Sequence, residues 1–217
     1  MINDFKDIES FFKELNNSLE MPIAVYTIGG VVLLKRGLKP STKDIDIIVS
    51  SKNEFIELQK ILKFIGFTTS IPSKEYKNMN LSKIFQKGDF RIDLFEVEVC
   101  GKFSLTDEMK QRSEKVISLS NISVFLCSNE DIFLFKTMTD REGDISDCIS
   151  IAKNELLDWD VILAELNNQI VLSGKNIWIT WVGERFDILV DKKLDIPIIS
   201  ELNKLRIAYY DNYLSTN

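Results

Sequence analysis

Gly29-Gly30-Val31-Val32-Leu33-Leu34-Lys35-Arg36-Gly37-Leu38-Lys39-Pro40-Ser41-Thr42-Lys43-Asp44-Ile45-Asp46-Ile47-Ile48-Val49 is the stretch whose reading decides the fold. Before it, Ile23 to Ile28 is a short apolar, β-branched run that stops at the glycine pair, as a buried strand does. After the pair, VVLLK offers two helical turns closed by Gly37. Leu38 to Thr42 has turn chemistry, and Asp44 to Val49 first alternates and then becomes wholly apolar, the pattern of a strand entering a buried sheet. The unit is therefore strand, glycine turn, short helix, strand. Asp44 and Asp46 stand two residues apart on the second strand, so both carboxylates point to one face, about 6 to 7 Å apart along the chain.

Working outward, Phe5, Ile8, Phe11, Phe12, Leu15 and Leu19 recur at helical spacing behind Asn3 or Asp4 as cap, and Pro22 ends that helix. Ser51-Lys52-Asn53-Glu54 is a capping-box pattern opening a helix that carries Phe55, Leu58, Ile61, Leu62 and Ile65 and stops at Gly66. Strand signals follow at 67–71 and 84–99, with a hairpin turn around Gly88 leading into Arg91-Ile92-Asp93-Leu94-Phe95. A second hairpin is expected at Ser120-Asn121. From the capping box Ser128-Asn129-Glu130-Asp131 onward, helical periodicity dominates through Leu157, from Trp159 to Leu172 and from Ile198 to Tyr213. Between 176 and 194, Trp178, Trp181, Val182, Phe186 and Leu189 fit a helix although the β-branched content also suits strands; a helix is expected. The fold class is mixed α/β (α+β), with an α/β domain over 1–127 and a helical C-terminal region over 128–217 packed on it.

Composition bounds the chemistry. The chain has 217 residues, 45% hydrophobic and 28% charged, enough apolar matter for a buried core. Its net charge of −6 disfavours sequence-independent coating of nucleic acid or anionic lipid. There is no histidine, which excludes Ser-His-Asp and Cys-His machinery, HExxH zinc sites and any imidazole base. Chemistry must run on carboxylates, Lys, Arg, hydroxyls, Cys or a metal held by oxygen. Cys100, Cys127 and Cys148, an odd number without a CxxC pair, fit a reducing compartment and the role of small core hydrophobes. The N-terminal residues lack a signal-like apolar run, and the longest uncharged apolar stretch, Ile23 to Leu34, is shorter than a membrane span; a cytoplasmic location and no membrane partner are expected.

Asp93 has a setting like that of Asp46, with Ile92 and Leu94 alternating away from it, so two neighbouring strands can present three acids together. Three carboxylates suit a pair of Mg²⁺ ions about 3.5 to 4 Å apart holding a triphosphate for in-line displacement. Gly29-Gly30, between a strand and a helix, offers bare backbone amides to an anion. Lys35, Arg36, Lys39 and Lys43 place a local basic patch in the same stretch of an acidic protein. Taken singly, each feature has a plainer reading: a turn, a solvated strand face, surface lysines.

Together, Gly29-Gly30, Leu33, Gly37, Thr42-Lys43-Asp44-Ile45-Asp46 and Asp93 resemble the nucleotidyltransferase superfamily related to DNA polymerase β, over roughly residues 20–100. The wording is similar to the small prokaryotic branch that includes the AbiEii-type toxins. That branch carries a later motif of Lys, Arg and two Asp on helices, and Lys136, Arg141, Asp144 and Asp147 match it. The resemblance implies a nucleotidyltransferase-type mixed sheet flanked by helices, and transfer of a nucleoside monophosphate from an NTP to a hydroxyl acceptor. It implies that Asp44 and Asp46 hold two Mg²⁺ or Mn²⁺ ions, and that Asp93 holds the catalytic one and helps deprotonate the acceptor. Gly29, Gly30, Thr42, Lys43, Lys136 and Arg141 would then bind the nucleotide, with Asp144 and Asp147 supporting the site or a helix junction. The plainer reading of the late motif is a helix-to-helix turn with exposed charges. Gly30 departs from many catalytic relatives, which have Ser there.

The acceptor is left open between an RNA 3′ end, a protein hydroxyl and a small molecule. The rival reading is a non-catalytic nucleotide-binding or interaction protein, such as a toxin–antitoxin component with an antitoxin-like partner; three intact acids favour the enzyme. A tRNA-processing enzyme is disfavoured by the net charge unless the basic patch near Lys35 and Lys43 supplies an RNA track.

Overall fold

The computed structural model describes residues 1–71 and 83–216. The chain divides into two compact units, Met1–Ser128 and Asn129–Asn217.

In the first unit, α1 (Phe5–Ser18) starts at Asp4, whose carboxylate accepts the Lys6 N–H at 2.9 Å, and puts Ile8, Phe11, Phe12 and Leu15 on its buried face. β1 (Ile23–Ile28) runs into the glycine pair, α2 (Gly30–Lys35) follows, and β2 (Ile45–Val49) returns antiparallel to β1. α3 (Lys52–Phe64) opens on the expected capping box: Ser51 Oγ accepts the Glu54 N–H at 3.3 Å while the Glu54 carboxylate accepts from Ser51 Oγ at 2.9 Å and from the Ser50 N–H at 3.1 Å. β3 (Thr68–Ser70), β4 (Lys83–Lys87) and β5 (Phe90–Glu96) follow, with Gly88 at φ 58° making the tight turn between β4 and β5. β6 (Glu114–Ser118) and β7 (Ile122–Leu126) form the second hairpin. Asn121 anchors its turn, donating its side-chain amide to the Leu19 carbonyl and its backbone N–H to Asn16 Oδ1, each at 2.8 Å.

Among the described residues the strands form one seven-stranded sheet in the order β3-β4-β5-β2-β1-β7-β6, with β2–β5 and β1–β7 parallel. Strand alternation divides the residues between two faces. Ile23, Val25, Ile45, Ile47, Val49, Ile92, Leu94, Ile122 and Val124 join the buried faces of α1 and α3 in one apolar core. Tyr26, Ile28, Asp46, Ile48, Asp93 and Phe95 belong to the other face. The core is what fixes the acids: a one-residue slip of β2 would bury Asp46 among helices and expose Ile45.

α4 (Asp107–Arg112) has no counterpart in the sequence reading. It is six residues long, too short for a periodic stripe, and rests on a local cap in which Thr106 Oγ1 accepts the Met109 N–H at 3.1 Å. Cys127 and Cys148 are buried, as expected of core hydrophobes, whereas Cys100 is half-buried in a turn at φ 56°.

The second unit holds α5 (Asn129–Thr137), α6 (Glu142–Asn154), α7 (Trp159–Ser173), α8 (Trp178–Asp191) and α9 (Ile199–Thr216). The ambiguous 176–194 stretch is helical because Trp178, Val182, Phe186 and Leu189 fall on one seam, all buried. Phe133 meets Trp159 and Phe186 edge-on, with centroids at 5.3 and 5.8 Å. Arg206 of α9 forks onto Asp187 of α8 at 2.8 and 3.0 Å, lying over Gly183, where a Cβ would come within 2.6 Å of its Nε. Among the described residues no helix is long and apolar enough to cross a membrane.

Candidate active site

The site-bearing corner of the first unit is where β1 ends and β2 begins. Ile28 pairs with Asp46 across the two strands, so the glycine turn leaves the sheet beside the second acid. Gly29 has φ 67° and ψ −138°, a conformation that suits glycine. A Cβ there would lie 3.5 Å from the Asp46 Cγ and well inside contact with Oδ2, so the carboxylate rests on the bare Cα. Gly29→Ala is therefore expected to strain the turn and displace Asp46 together. A lowered melting temperature and loss of any stabilisation by divalent metal with NTP would show it; unchanged values of both would refute the contact.

Thr42 closes the same corner. Its backbone pairs with Ile2, at 2.9 Å from the Ile2 N–H and 2.8 Å to the Ile2 carbonyl, and its Oγ1 donates to the Asp44 carbonyl at 3.0 Å. Asp44 is half-buried, just ahead of β2. Of the basic patch, Lys43 is exposed, Lys35 lies 4.2 Å above the Phe5 ring, and Arg36 donates to the Cys127 carbonyl at 3.2 Å.

Asp93 stands in register with Asp46 on the parallel neighbour β5, and paired residues of parallel strands share a face about 4.8 Å apart. It is 4% exposed. Arg91, two residues earlier and so on the same face, grips it in a fork: Nε donates to Oδ1 at 2.8 Å and Nη2 to Oδ2 at 2.7 Å. Arg91 was not singled out by sequence reasoning; its signal was a charge two residues from an acid on an alternating strand. All three acids offer only oxygen, the donor set that hard divalent cations prefer. As arranged, no group of three or more carboxylate or thiol side chains among the described residues is close enough together to hold a metal ion.

Lys136, Arg141, Asp144 and Asp147 come together within the helical unit. Lys136 Nζ lies 2.8 Å from Asp144 Oδ1 and 2.6 Å from Asp147 Oδ2. The other Asp144 oxygen accepts from Arg141 Nε at 2.7 Å and from the Thr139 hydroxyl, and Arg185 Nε donates to the Thr139 carbonyl at 2.7 Å. Lys136, Asp144 and Asp147 are 8%, 4% and 8% exposed, so these charges are not the solvated turn of the plainer reading. Burial pulls the Lys136 pKa down, but the two carboxylates outweigh it and hold the ammonium above its ordinary value. Burial likewise pushes Asp144 up, and Lys136, then Arg141, bring it below the ordinary carboxylate value. Burial pushes the neighbouring Cys148 thiol strongly up, which makes it an inert core group.

The first unit is thus a mixed sheet that carries two in-register acids beside a glycine turn. The chain belongs to the family described as nucleotidyltransferase of unknown function (DUF6036), whose model matches residues 3–176. Among solved structures it is similar to a solution structure of the antibiotic-resistance factor ANT(2″)-Ia, at 12% identity and a TM-score of 0.47, covering 75% of this chain and 90% of that one. A crystal structure of ANT(2″)-Ia in complex with adenylyl-2″-tobramycin gives 12% identity and a TM-score of 0.47 over 74% of this chain and 94% of that one. No curated protein matches the chain.

Proposed function

We propose that the protein transfers a nucleoside monophosphate from an NTP to a hydroxyl acceptor through Asp44, Asp46 and Asp93. The observation that supports this most is the pairing of Asp46 with Asp93 on adjacent parallel strands, with Asp46 seated on Gly29. The acceptor oxygen forms a bond to the α-phosphorus, the bond from that phosphorus to the oxygen bridging the α and β phosphates breaks, and pyrophosphate leaves with the electron pair. Asp93 takes the hydroxyl proton. Gly29, Gly30 and Lys43 meet the triphosphate. Mg²⁺ or Mn²⁺ would be held by Asp44 and Asp46 with the triphosphate oxygens, Asp93 joining the set only where its carboxylate turns from Arg91 toward them, and would neutralise charge on the triphosphate and the attacking oxygen.

Incubation with each labelled NTP, either metal and a cell extract tests the proposal and reports whether the acceptor is an RNA end, a protein hydroxyl or a small molecule. No labelling by any of the four nucleotides would return the protein to the interaction reading, with an antitoxin-like partner. Metal with NTP is also expected to raise the melting temperature by mass action, and Asp44→Asn with Asp46→Asn to abolish the rise. A rise that survives in the double variant places the metal elsewhere.

A further inference from the structure

Gly30 poses a question that Gly29 does not. Gly29 has a positive φ, whereas Gly30 is absent from the positive-φ glycines and sits in the first turn of α2. Its backbone is open to any residue, so space rather than conformation explains the glycine. A Cβ at position 30 would lie 2.9 Å from the Thr42 Cβ and nearer still to Oγ1. Thr42 cannot readily retreat: it is 4% exposed, bonded to Ile2 through both backbone groups, and tied to the Asp44 carbonyl through its hydroxyl. The two glycines thus meet one group of β2 and one of its approach, Asp46 against Gly29 and Thr42 against Gly30.

We infer that Thr42 is a positioning residue of the transfer site: it fills the volume that a side chain at position 30 would take, and its hydroxyl fixes the Asp44 backbone relative to the glycine turn. The inference rests on the proposed function for its consequence in nucleotide binding, but the space exchange between positions 30 and 42 stands on geometry alone. In this arrangement the turn's hydroxyl comes from the strand side, and Gly30→Ser, which would put one on the turn itself, is incompatible with Thr42.

The test uses the full chain and four variants: Gly30→Ser, Gly30→Ser with Thr42→Gly, Thr42→Ser and Thr42→Val. Each is measured for its melting temperature alone and for the NTP dependence of the rise produced by Mg²⁺ with NTP. Gly30→Ser is expected to melt several degrees lower and to lose the NTP response, and the double variant to recover more than half of the lost melting temperature, a non-additive pairing of contacting sites. Thr42→Ser keeps the hydroxyl and is expected to bind NTP several-fold more tightly than Thr42→Val. Thr42→Val keeps the volume, leaves the Asp44 carbonyl without that donor, and weakens NTP binding about tenfold.

A Gly30→Ser protein that melts like wild type, or a double variant no more stable than Gly30→Ser, overturns the space exchange. Wild-type NTP affinity in Thr42→Val reduces Thr42 to a packing residue and overturns the positioning role. If wild type shows no NTP response under either metal, the proposed function has failed and with it the positioning role, while the two melting temperatures still decide the exchange.

Discussion

Lys136→Ala is expected to destabilise the helical unit by about 3 to 5 kcal/mol, the cost of leaving one side of a buried ion cluster without its partner. Asp144 and Asp147 both lean on the same ammonium, at 2.8 and 2.6 Å, and both are buried, so truncation removes that charge from both carboxylates in a poorly solvated junction between α5 and α6, leaving Asp144 with Arg141 and Thr139. The three tryptophans, Trp159, Trp178 and Trp181, all lie in this unit, so urea denaturation followed by tryptophan fluorescence reports it selectively. Lys136→Met with Asp144→Asn and Asp147→Asn should recover much of the loss, because the one charge kept is that of Arg141, which is exposed, and no buried charge is left uncompensated. An unchanged urea midpoint in Lys136→Ala, together with weakened NTP binding, would instead support the phosphate contact that the family resemblance implies.

The same cluster gives the unit a defined pH range. The folded pKa of Asp144 is depressed below its ordinary value of 3.8, so its stabilisation is present above that value and lost as pH falls through the lower folded one. The folded pKa of Lys136 is raised above 10.5, so its stabilisation is present below 10.5 and lost as pH rises through the higher folded value. Between about pH 5 and 9 neither group changes charge, and the cluster's share of stability should be flat. Urea midpoints read by tryptophan fluorescence should stay level across this range and fall on the acid side. The acid-side fall should be shallower when Asp144 is replaced by Asn.

Most of the first unit was legible because its signals are local. Ser51 and Glu54 declare a helix start, Gly88 a hairpin, and Asp44 to Val49 a strand with a polar and an apolar face. What could not be read was decided by partners distant in sequence. That the strands of Asp46 and Asp93 can be neighbours was open to the sequence, but the parallel register that sets Asp93 opposite Asp46 is a pairing across 47 positions that no periodicity encodes. The reason for Gly30 lies in Thr42, twelve residues on, and depends on the way Ile2 holds that residue from the other side. In the helical unit the Lys136, Arg141, Asp144 and Asp147 pattern was visible, but the burial of Lys136, Asp144 and Asp147 was not: charges at helix spacing look alike in sequence whether they meet water or one another.

Asp93→Asn is expected to lower nucleotidyl transfer about 10² to 10⁴-fold, the range typical of removing a positioned proton acceptor, while changing NTP affinity far less. A protein that only holds nucleotide needs a phosphate cradle and some positive charge; turnover also needs a carboxylate beside the attacking oxygen. The grip of Arg91 gives this prediction its second arm. The fork holds both oxygens of Asp93 at 2.7 and 2.8 Å, with Asp93 buried, so Arg91 decides where the carboxylate points. Lys in its place carries the charge but cannot make the two-toothed bond. Arg91→Lys should therefore lower the rate in the same direction as Asp93→Asn but less severely, with NTP affinity again largely kept. If the acid of β5 serves only to fold the sheet, both variants should lose melting temperature and NTP affinity in proportion to activity. Rate loss at constant affinity in Asp93→Asn, with a smaller rate loss in Arg91→Lys, is the outcome that belongs to an acid acting on the acceptor and an arginine that aims it.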